Sequence, residues 1–203
     1  MKILLRATLL VVGSAWALPG LALAQDPAAV RQLFEAGQYQ EVIDATTGAA
    51  GPDVLFLAAQ SQQRLGATDQ ARSTYGQLAA RPQTDAWHFI GLSGEQLVDN
   101  QTDAALAAAR QAVAMAGTLS PAHYQVGLVQ AKRQDWPAAA EAFDRAAELD
   151  PANAYTHYYS GLMHYQARRP DRMAIQFEQF LKLAPKAPER PEVLQIMRTV
   201  RGR

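Results

Sequence analysis

The sequence predicts an all-α protein, built from antiparallel helix pairs that stack along the chain and finish in a capping helix. Three observations lead to this fold class. One pattern recurs every 34 residues, proline and aspartate stand where helices would begin, and glycine or alanine recurs where two helices would cross. A helix pair of this size cannot bury its apolar face alone, so neighbouring pairs must stack into one continuous core.

The 34-residue repeat is clearest in the second half of the chain. The segment "HYQVGLVQAKRQDWPAAAEAFDRAAELDP", residues 123–151, aligns without a gap with "HYYSGLMHYQARRPDRMAIQFEQFLKLAP", residues 157–185. The identical pairs include His123/His157, Tyr124/Tyr158, Gly127/Gly161, Leu128/Leu162, Phe143/Phe177, Leu149/Leu183 and Pro151/Pro185.

Weaker copies of the repeat precede these two. One contains Leu55, another contains Trp87, and a partial copy opens near Val30. We align the copy around Trp87 with about two extra residues before its second helix, which places Gly91 opposite Gly127. The repeat therefore extends over nearly all of the chain after residue 25.

Each unit is predicted to contain two helices, A and B. In the third full unit, helix A runs from about Pro121 to Lys132 and helix B from about Pro137 to Leu149. Proline suits the first turn of a helix, where its missing N–H has no helical partner to lose. Asp135 is the predicted N-cap of helix B. Pro151 ends that helix, because the residue before a proline is disfavoured in helical angles.

Small residues are predicted where the helices cross. Gly127 and Ala139 fall at the crossing of helices A and B, and Ala146 faces the following unit while Phe143 fills the space beside it. A large side chain at such a position would push the helices apart, at a cost of roughly 1–3 kcal/mol per site.

A 34-residue unit with an aromatic residue, a small residue four positions on, a turn, an alanine, a second aromatic residue and a closing proline resembles the tetratricopeptide repeat (TPR). The resemblance covers about residues 26–187. It implies a right-handed superhelix, with an array over residues 25–187 of about four full repeats and an N-terminal partial one. The sequence departs from the family pattern at His123 and His157, which replace the usual tryptophan or tyrosine, and at Met173, which replaces a small residue.

The last segment, residues 188–203, is predicted to form the capping helix, from about Pro188 to Val200. Four apolar residues at helical spacing share one face: Val193, Ile196, Met197 and Val200. We interpret this face as a lid on the exposed core of the last repeat, in preference to a helix that binds a partner.

Residues 1–24 have the three-part pattern of a secretory signal peptide. A basic start at Lys2 precedes an apolar run from Ala7 to Leu18, and Ala22–Ala24 supplies small residues at the cleavage positions. The alternative is an uncleaved anchor, but the apolar run is shorter than the ~20 residues of a membrane span and ends at Pro19. We therefore expect an exported bacterial protein whose mature chain is periplasmic, with no stable membrane insertion after cleavage.

The composition disfavours several classes of function. Lys plus Arg and Asp plus Glu each number 19, so the formal net charge is 0, whereas nucleic-acid binders usually carry a strong basic excess. The absence of cysteine excludes a disulfide framework and a thiol nucleophile. No glycine-rich phosphate loop and no Gly-x-Ser-x-Gly turn occurs. We predict no catalytic residue, no cofactor and no nucleic-acid partner.

The histidines also give no sign of a metal site. They are His88, His123, His157 and His164. None falls in a recognised ligand pattern, and two of them occupy a position where the TPR family usually has a packing aromatic residue. The carboxylates of the third unit are predicted to lie on a solvated outer face: Glu141, Asp144 and Glu148.

A second stripe on the A helices is the predicted partner-binding surface, since the TPR resemblance implies that A helices line the concave side. The stripe is polar in the first unit and aromatic in the last. Aromatic side chains give large contact area at low entropy cost, which suits an extended peptide or a partner helix. The alternative that several of these aromatics pack against the neighbouring A helix stays open. The predicted contacts are Phe56, Gln60, Arg64, His88, Leu92, Tyr124, Leu128, Tyr158, Leu162 and Tyr165.

The sequence thus favours a non-catalytic periplasmic adaptor that binds a protein or peptide partner during assembly of an envelope complex. Two other functions fit the same pattern. One is an assembly chaperone that holds a client protein during maturation, and the other is self-association into a homo-oligomer.

Overall fold

The computed structural model of the chain describes residues 26–46 and 50–202, so the predicted signal peptide lies outside the described residues. Within that part of the chain the regular secondary structure consists of eleven α-helices, without a strand. In chain order they are α1 (Pro27–Glu35), α2 (Tyr39–Asp44), α3 (Pro52–Arg64), α4 (Thr68–Ala79), α5 (Ala86–Val98), α6 (Thr102–Met115), α7 (Ser120–Lys132), α8 (Trp136–Leu149), α9 (Ala154–Gln166), α10 (Pro170–Leu183) and α11 (Arg190–Arg201). None of these helices is both long and apolar enough to cross a membrane.

Consecutive helices pack against each other all along the chain, as α3 does with α4 and α7 with α8. All five A–B connections contain only three residues each: 36–38, 65–67, 99–101, 133–135 and 167–169. Connections this short force the two helices of a pair to run antiparallel. The predicted all-α stack of antiparallel pairs is confirmed.

The helix boundaries of the third unit follow the predicted signals. Helix α7 begins at Ser120 with Pro121 in its first turn, and α8 begins at Trp136 with Pro137 in its first turn. The carboxylate of Asp135 accepts a hydrogen bond from the N–H of Ala138 at 3.3 Å, so Asp135 is the N-cap of α8. Helix α8 ends at Leu149, before the Asp150–Pro151 bond.

The A–B turn of each of the four full units contains one residue in the left-handed region. These residues are Gly66, Asn100, Gln134 and Arg168, with φ of 75°, 60°, 62° and 57°. They are spaced by 34 residues without exception. The turn geometry therefore repeats with the same period through all four full units, and glycine serves it only in the first.

This constant period corrects our alignment of the second unit, which has no extra residues before its second helix. The residue that faces the B helix in place of Gly127 is Ser93, which is fully buried and donates a hydrogen bond to the carbonyl oxygen of Ala105 at 2.8 Å. Gly91 faces the preceding unit instead, because a Cβ there would lie 2.4 Å from the backbone nitrogen of Ala79. The structural equivalent of Tyr124 in this unit is Ile90.

The predicted close crossings of the third and fourth units are confirmed. A Cβ on Gly127 would lie 2.8 Å from the ring of Phe143, and a Cβ on Gly161 would lie 2.4 Å from the ring of Phe177. Real Cβ atoms essentially never approach so closely, so each glycine makes room for an aromatic ring of its own B helix.

Helix α11 covers the core of the last repeat, as predicted. It begins at Arg190 rather than Pro188. Val193 and Met197 are buried, and Ile196 and Val200 are partly buried against the same apolar core. The face of the capping helix therefore continues the core of α9 and α10.

The two ends of the array meet across its inner face. One apolar core contains Val30 and Phe34 of α1 together with Tyr155 of α9, Phe180 of α10 and Val193 of α11. A second core, centred on the second and third full units, lies between these ends along the chain. The inner face is therefore partly closed by the protein's own first and last units.

Candidate partner-binding surface

The contact between the two ends, which we call the seam, joins α1–α3 to residues 150–189. Its apolar part places Phe34 edge-on to the ring of Tyr155, with ring centroids 4.9 Å apart. Its polar part contains an ion pair between Arg31 and Asp150 at 2.9 Å. The seam therefore combines aromatic packing with charged contacts, and both parts depend on α9 and its preceding loop.

A carboxylate from α1 binds the start of α9. Glu35 accepts a hydrogen bond from the backbone N–H of Ala154 at 3.0 Å. Such a contact satisfies an N–H group that has no partner within the helix, and the helix dipole favours a negative charge there. Burial nevertheless raises the pKa of Glu35 above its ordinary value, although the bond from Ala154 and the charge of Arg31 oppose the rise.

Arg64, the last residue of α3, lies at the centre of the seam. Its guanidinium pairs with the carboxylate of Glu189 and donates a hydrogen bond to the hydroxyl of Tyr159 at 2.9 Å. The guanidinium carbon lies 5.0 Å from the ring centroid of Tyr155, 5.8 Å from that of Tyr159 and 5.9 Å from that of Tyr39. These distances are within the range of cation–π attraction.

The hydroxyl of Tyr155 completes this arrangement. It donates a hydrogen bond to the second carboxylate oxygen of Glu189 at 2.7 Å, and the hydroxyl of Tyr39 lies 3.5 Å away. Burial, followed by the hydrogen bonds with Tyr39 and Glu189, raises the pKa of Tyr155 far above its ordinary value. Tyr155 therefore remains a neutral donor at physiological pH.

Two cavities lie on the inner face, on either side of a hydrogen bond from the hydroxyl of Tyr124 to Gln60 at 3.2 Å. The N-end cavity lies at the starts of α1, α3, α7 and α9 and holds about 40 Å³. The C-end cavity lies toward the ends of α3, α5 and α7 and holds about 330 Å³. Its lining residues are Gln60, Gln63, Arg64, Leu97, Tyr124, Leu128, Lys132 and Tyr159. Of these two inner cavities, the C-end cavity is the one with the volume of a small ligand site.

The structure places the ten predicted contacts in different surroundings. Four of them are buried: Phe56, Gln60, Tyr124 and Tyr158. Five are half-buried: Arg64, His88, Leu92, Leu128 and Leu162. Tyr165 is exposed. Four of the ten line the C-end cavity: Gln60, Arg64, Tyr124 and Leu128. Their role in binding a partner stays a prediction.

Several predicted contacts pack against the protein's own aromatic side chains. Phe56 and Tyr124 meet edge-on, with ring centroids 6.0 Å apart. Tyr158 lies in the core of the last repeat, 5.1 Å from the ring of Phe180. The sequence left open that some of these aromatics pack against neighbouring helices of the protein itself, and these three rings do so.

Two predicted contacts were chosen through the incorrect alignment of the second unit. His88 and Leu92 correspond to Ala122 and Val126 rather than to the inner stripe. The Nδ1 atom of His88 lies 3.1 Å from the carbonyl oxygen of Arg81, in the loop before α5. Neither residue lines either of the two inner cavities.

The outer face contains a polar network that corrects one prediction. Glu141 and Glu148 are exposed as expected, but the side chain of Asp144 is only 18% exposed. It accepts hydrogen bonds from Ser160 at 2.5 Å and Gln176 at 3.1 Å, and its Oδ2 lies 2.9 Å from the Nε2 of His164. Burial alone would raise the pKa of Asp144, but the bonds with His164 and Ser160 lower it below its ordinary value.

This network lacks the geometry of a catalytic triad. The hydroxyl of Ser160 donates to Asp144 and not to a histidine, so no base is in position to activate it. His157 lies between Gln176, at 2.7 Å, and the carbonyl oxygen of Pro151, at 3.1 Å, so both of its nitrogens have partners. Among the described residues, no three histidines or carboxylates are grouped so as to hold a metal ion.

The sequence interpretation missed the residues that surround Arg64 in the seam: Tyr39, Tyr155, Tyr159 and Glu189. Tyr155 lies three residues before the predicted contact Tyr158 on the same helix, and this helical spacing was a usable signal. Glu189 looked like an ordinary acidic residue at the start of a helix. Its partner Arg64 is 125 positions away, and no local pattern shows such a contact.

Comparison with known families identifies the repeat. Residues 53–84, which span α3 and α4, and residues 120–153, which span α7 and α8, each match a model of the tetratricopeptide repeat. Two segments of the chain match the tetratricopeptide repeat. Neither of the two matching families is a family of enzymes. Among curated proteins, none matches the chain in sequence.

Solved TPR structures share the fold. A thermophilic TPR protein in Thermus thermophilus is 20% identical, with a TM-score of 0.62 over 86% of this chain and 98% of that one. MamA is 20% identical, with a TM-score of 0.50 over 78% of this chain and 88% of that one. A chain of the APC/C hetero-tetramer Cut9–Hcn1 is 15% identical, with a TM-score of 0.57 over 87% of this chain and 35% of that one. These likenesses establish the right-handed TPR superhelix and nothing further.

Proposed function

We propose that the mature chain is a non-catalytic periplasmic TPR scaffold that binds a protein or peptide partner on its inner face, in the assembly of an envelope complex. The observation that carries the proposal is the C-end cavity, about 330 Å³ of space that the chain's own side chains leave open on the face formed by the A helices. Repeat arrays of this kind use their concave surfaces for binding. The export pattern of residues 1–24 supports the periplasmic location.

The chemistry of the C-end cavity suits a peptide segment. Leu97, Leu128 and the ring of Tyr124 provide apolar walls, while Gln63 and Lys132 lie at exposed positions on its rim. Among the contacts of the described residues, the ammonium of Lys132 has no ion-pair partner. Apolar walls with a few polar groups at the edge are typical of sites that take a side chain and fix the backbone beside it.

The burial of the predicted contacts limits what a partner reaches. Phe56 and Tyr158 are buried and do not line the C-end cavity. A partner in the cavity meets Leu128 and Arg64, which are half-buried, and the inward sides of Gln60 and Tyr124. The predicted contacts thus divide into a set that lines the cavity and a set that lies outside it.

Affinity capture from an envelope fraction tests this proposal. The bait is residues 25–203, compared with a double variant of the cavity, Leu128→Ala with Lys132→Ala. The matched control is Ile175→Ala, because Ile175 on α10 is 59% exposed and lies on the outer face. We expect a bound protein that the control retains and that the double variant binds about tenfold or more weakly, as truncation of a central contact usually does.

The outcome that rejects the proposal is equally definite. Equal binding of the captured protein by the double variant and the control would show that the cavity is not the site. A purified chain that turns over a small molecule would reject the non-catalytic assignment.

A further inference from the structure

The surroundings of Arg64 form a site for a guanidinium group. We call this site the guanidinium box and define it by the rings of Tyr39, Tyr155 and Tyr159 and the carboxylate of Glu189. The rings surround the guanidinium carbon at 5.0–5.9 Å, Glu189 pairs with one nitrogen, and the hydroxyl of Tyr159 accepts a hydrogen bond from another. Planar recognition by a carboxylate and aromatic faces is specific to arginine rather than lysine.

The box requires a cation. The side chain of Glu189 is only 9% exposed, and Arg64 is its ion-pair partner. A buried carboxylate without a counter-charge is strongly unfavourable. The hydroxyl of Tyr155 donates to Glu189 but brings no positive charge. When Arg64 leaves, the box therefore favours another guanidinium in its place.

The box opens toward the C-end cavity. Arg64 and Tyr159 both line that cavity, and the side chain of Arg64 is 24% exposed. Arg64 enters the box from the last turn of α3 on a long flexible side chain. Tyr159 is the residue of the box that lines the cavity, so a side chain that approaches through the cavity meets the box at this ring and at the position of the Arg64 guanidinium.

We infer that the guanidinium box is the subsite for an arginine side chain of the partner, and that Arg64 occupies it in the absence of that partner. The inference rests on the proposed function, since it names the chemistry of the segment that the scaffold binds. Displacement of Arg64 removes the ion pair between α3 and Glu189, and the partner's guanidinium takes its place between Tyr39 on one side of the seam and Glu189 on the other.

The test uses ethylguanidine as the probe and isothermal titration calorimetry as the measurement. Arg64→Ala, with its fold checked by circular dichroism, should bind ethylguanidine about tenfold or more tightly than the wild-type chain, because the box is vacant. Propylammonium, of similar size, should bind more weakly than ethylguanidine. Adding Glu189→Gln to Arg64→Ala should weaken ethylguanidine binding by about tenfold or more, because the charged acceptor is lost.

Equal binding by Arg64→Ala and the wild-type chain, or no effect of Glu189→Gln, overturns the inference. If Arg64→Ala does not fold, the wild-type chain provides the measurement through the Nε–Hε NMR signal of Arg64. Ethylguanidine below denaturing concentrations should move that signal toward the position of free arginine, and a signal that stays in place overturns the inference. The two proposals fail separately. If ethylguanidine does not bind as expected but the cavity variant still loses a captured partner, the proposed function stands and the inference about the box fails. If ethylguanidine binds the vacant box but no captured partner depends on the cavity, the box is a guanidinium site and the proposed function fails.

Discussion

Removal of Arg64 is expected to loosen the seam. The side chains of Arg64 and Glu189 are 24% and 9% exposed, so the pair is largely shielded from water. Breaking a buried pair by truncating one partner costs roughly 3–5 kcal/mol, most of it from the unpaired charge that is left. Arg64→Ala should therefore lower the free energy of unfolding by about 3 kcal/mol or more, unless opening of the seam exposes Glu189 and limits the loss.

A double-mutant cycle separates the pair from its surroundings. Glu189→Gln removes the charge but keeps an acceptor for Tyr155, so the double variant with Arg64→Ala should be more stable than Arg64→Ala alone. We expect a coupling free energy of at least about 1 kcal/mol between the two positions, measured by urea unfolding. The exposed pair Arg145–Glu148 on α8 is the control, and Arg145→Ala should change stability little.

The separation of the first and last units gives a second measurement. The chain has no cysteine, so labels at Ala28→Cys and Lys186→Cys, both at exposed positions, report that distance by energy transfer. Transfer should fall in Arg64→Ala and recover in part when Glu189→Gln is added. Unchanged transfer together with an unfolding free energy within about 0.5 kcal/mol of wild type would refute the reasoning.

Three further predictions concern packing and pH. Gly161→Ala should lower the free energy of unfolding by about 1–3 kcal/mol, because its Cβ would lie 2.4 Å from Phe177. Gly76→Ala, whose Cβ would meet nothing within 4 Å, should raise it by about 0.5–1 kcal/mol. Equal urea midpoints for the two variants would contradict the close packing at Gly161. The pKa of Asp144 is lowered in the folded state, so its contribution is present above the unfolded value of 3.8 and is lost as pH falls through the folded value. The stability advantage of wild type over Asp144→Asn should therefore stay level well above pH 3.8 and shrink as pH falls below 3.8 in thermal melts, and a difference that stays constant through that range would count against it. The pKa of Glu35 is raised in the folded state, so its contribution to stability is full below the unfolded value of 4.5 and is lost as pH rises through the folded value. The stability of wild type relative to Glu35→Gln should therefore decrease as pH rises through this range, measured by thermal melts. The opposite trend would show that the bond to α9 outweighs burial.

The aromatic and the ionic contacts of the seam have different roles. Ring contacts such as Phe34 against Tyr155 stabilise the packing between distant units, and they do not depend on which guanidinium pairs with Glu189. The pair of Arg64 and Glu189 is replaceable by a partner that brings its own guanidinium.

Much of the fold was predictable because its causes are local. The 34-residue period, the prolines in first turns and the N-cap at Asp135 act within a few residues of one another, and each was read correctly. The second unit was read two residues out of register because Gly91 resembled the glycine of other units. In the structure the crossing residue is Ser93, whose hydroxyl binds the carbonyl of Ala105. A serine small enough for the crossing does not stand out as glycine does.

The candidate site was predictable only in part. Four of the predicted contacts line the C-end cavity, because the spacing along A helices does place them on one face. Asp144 was assigned to solvent, since the three donors that cover it come from α9 and α10 and its own helix gives no indication of them. His88 and Leu92 were chosen through the misaligned unit.

The sequence by itself determined the helix pairs, their order and the need for small residues at each crossing, because capping and periodicity act over a single unit. Whether the inner face is open or closed depends on the curvature summed over all units, since small rotations per repeat decide if the first unit meets the last. Only the tertiary structure brings Arg64 to Glu189 across 125 positions of sequence, and with that contact it decides which aromatic side chains face a partner and which face each other.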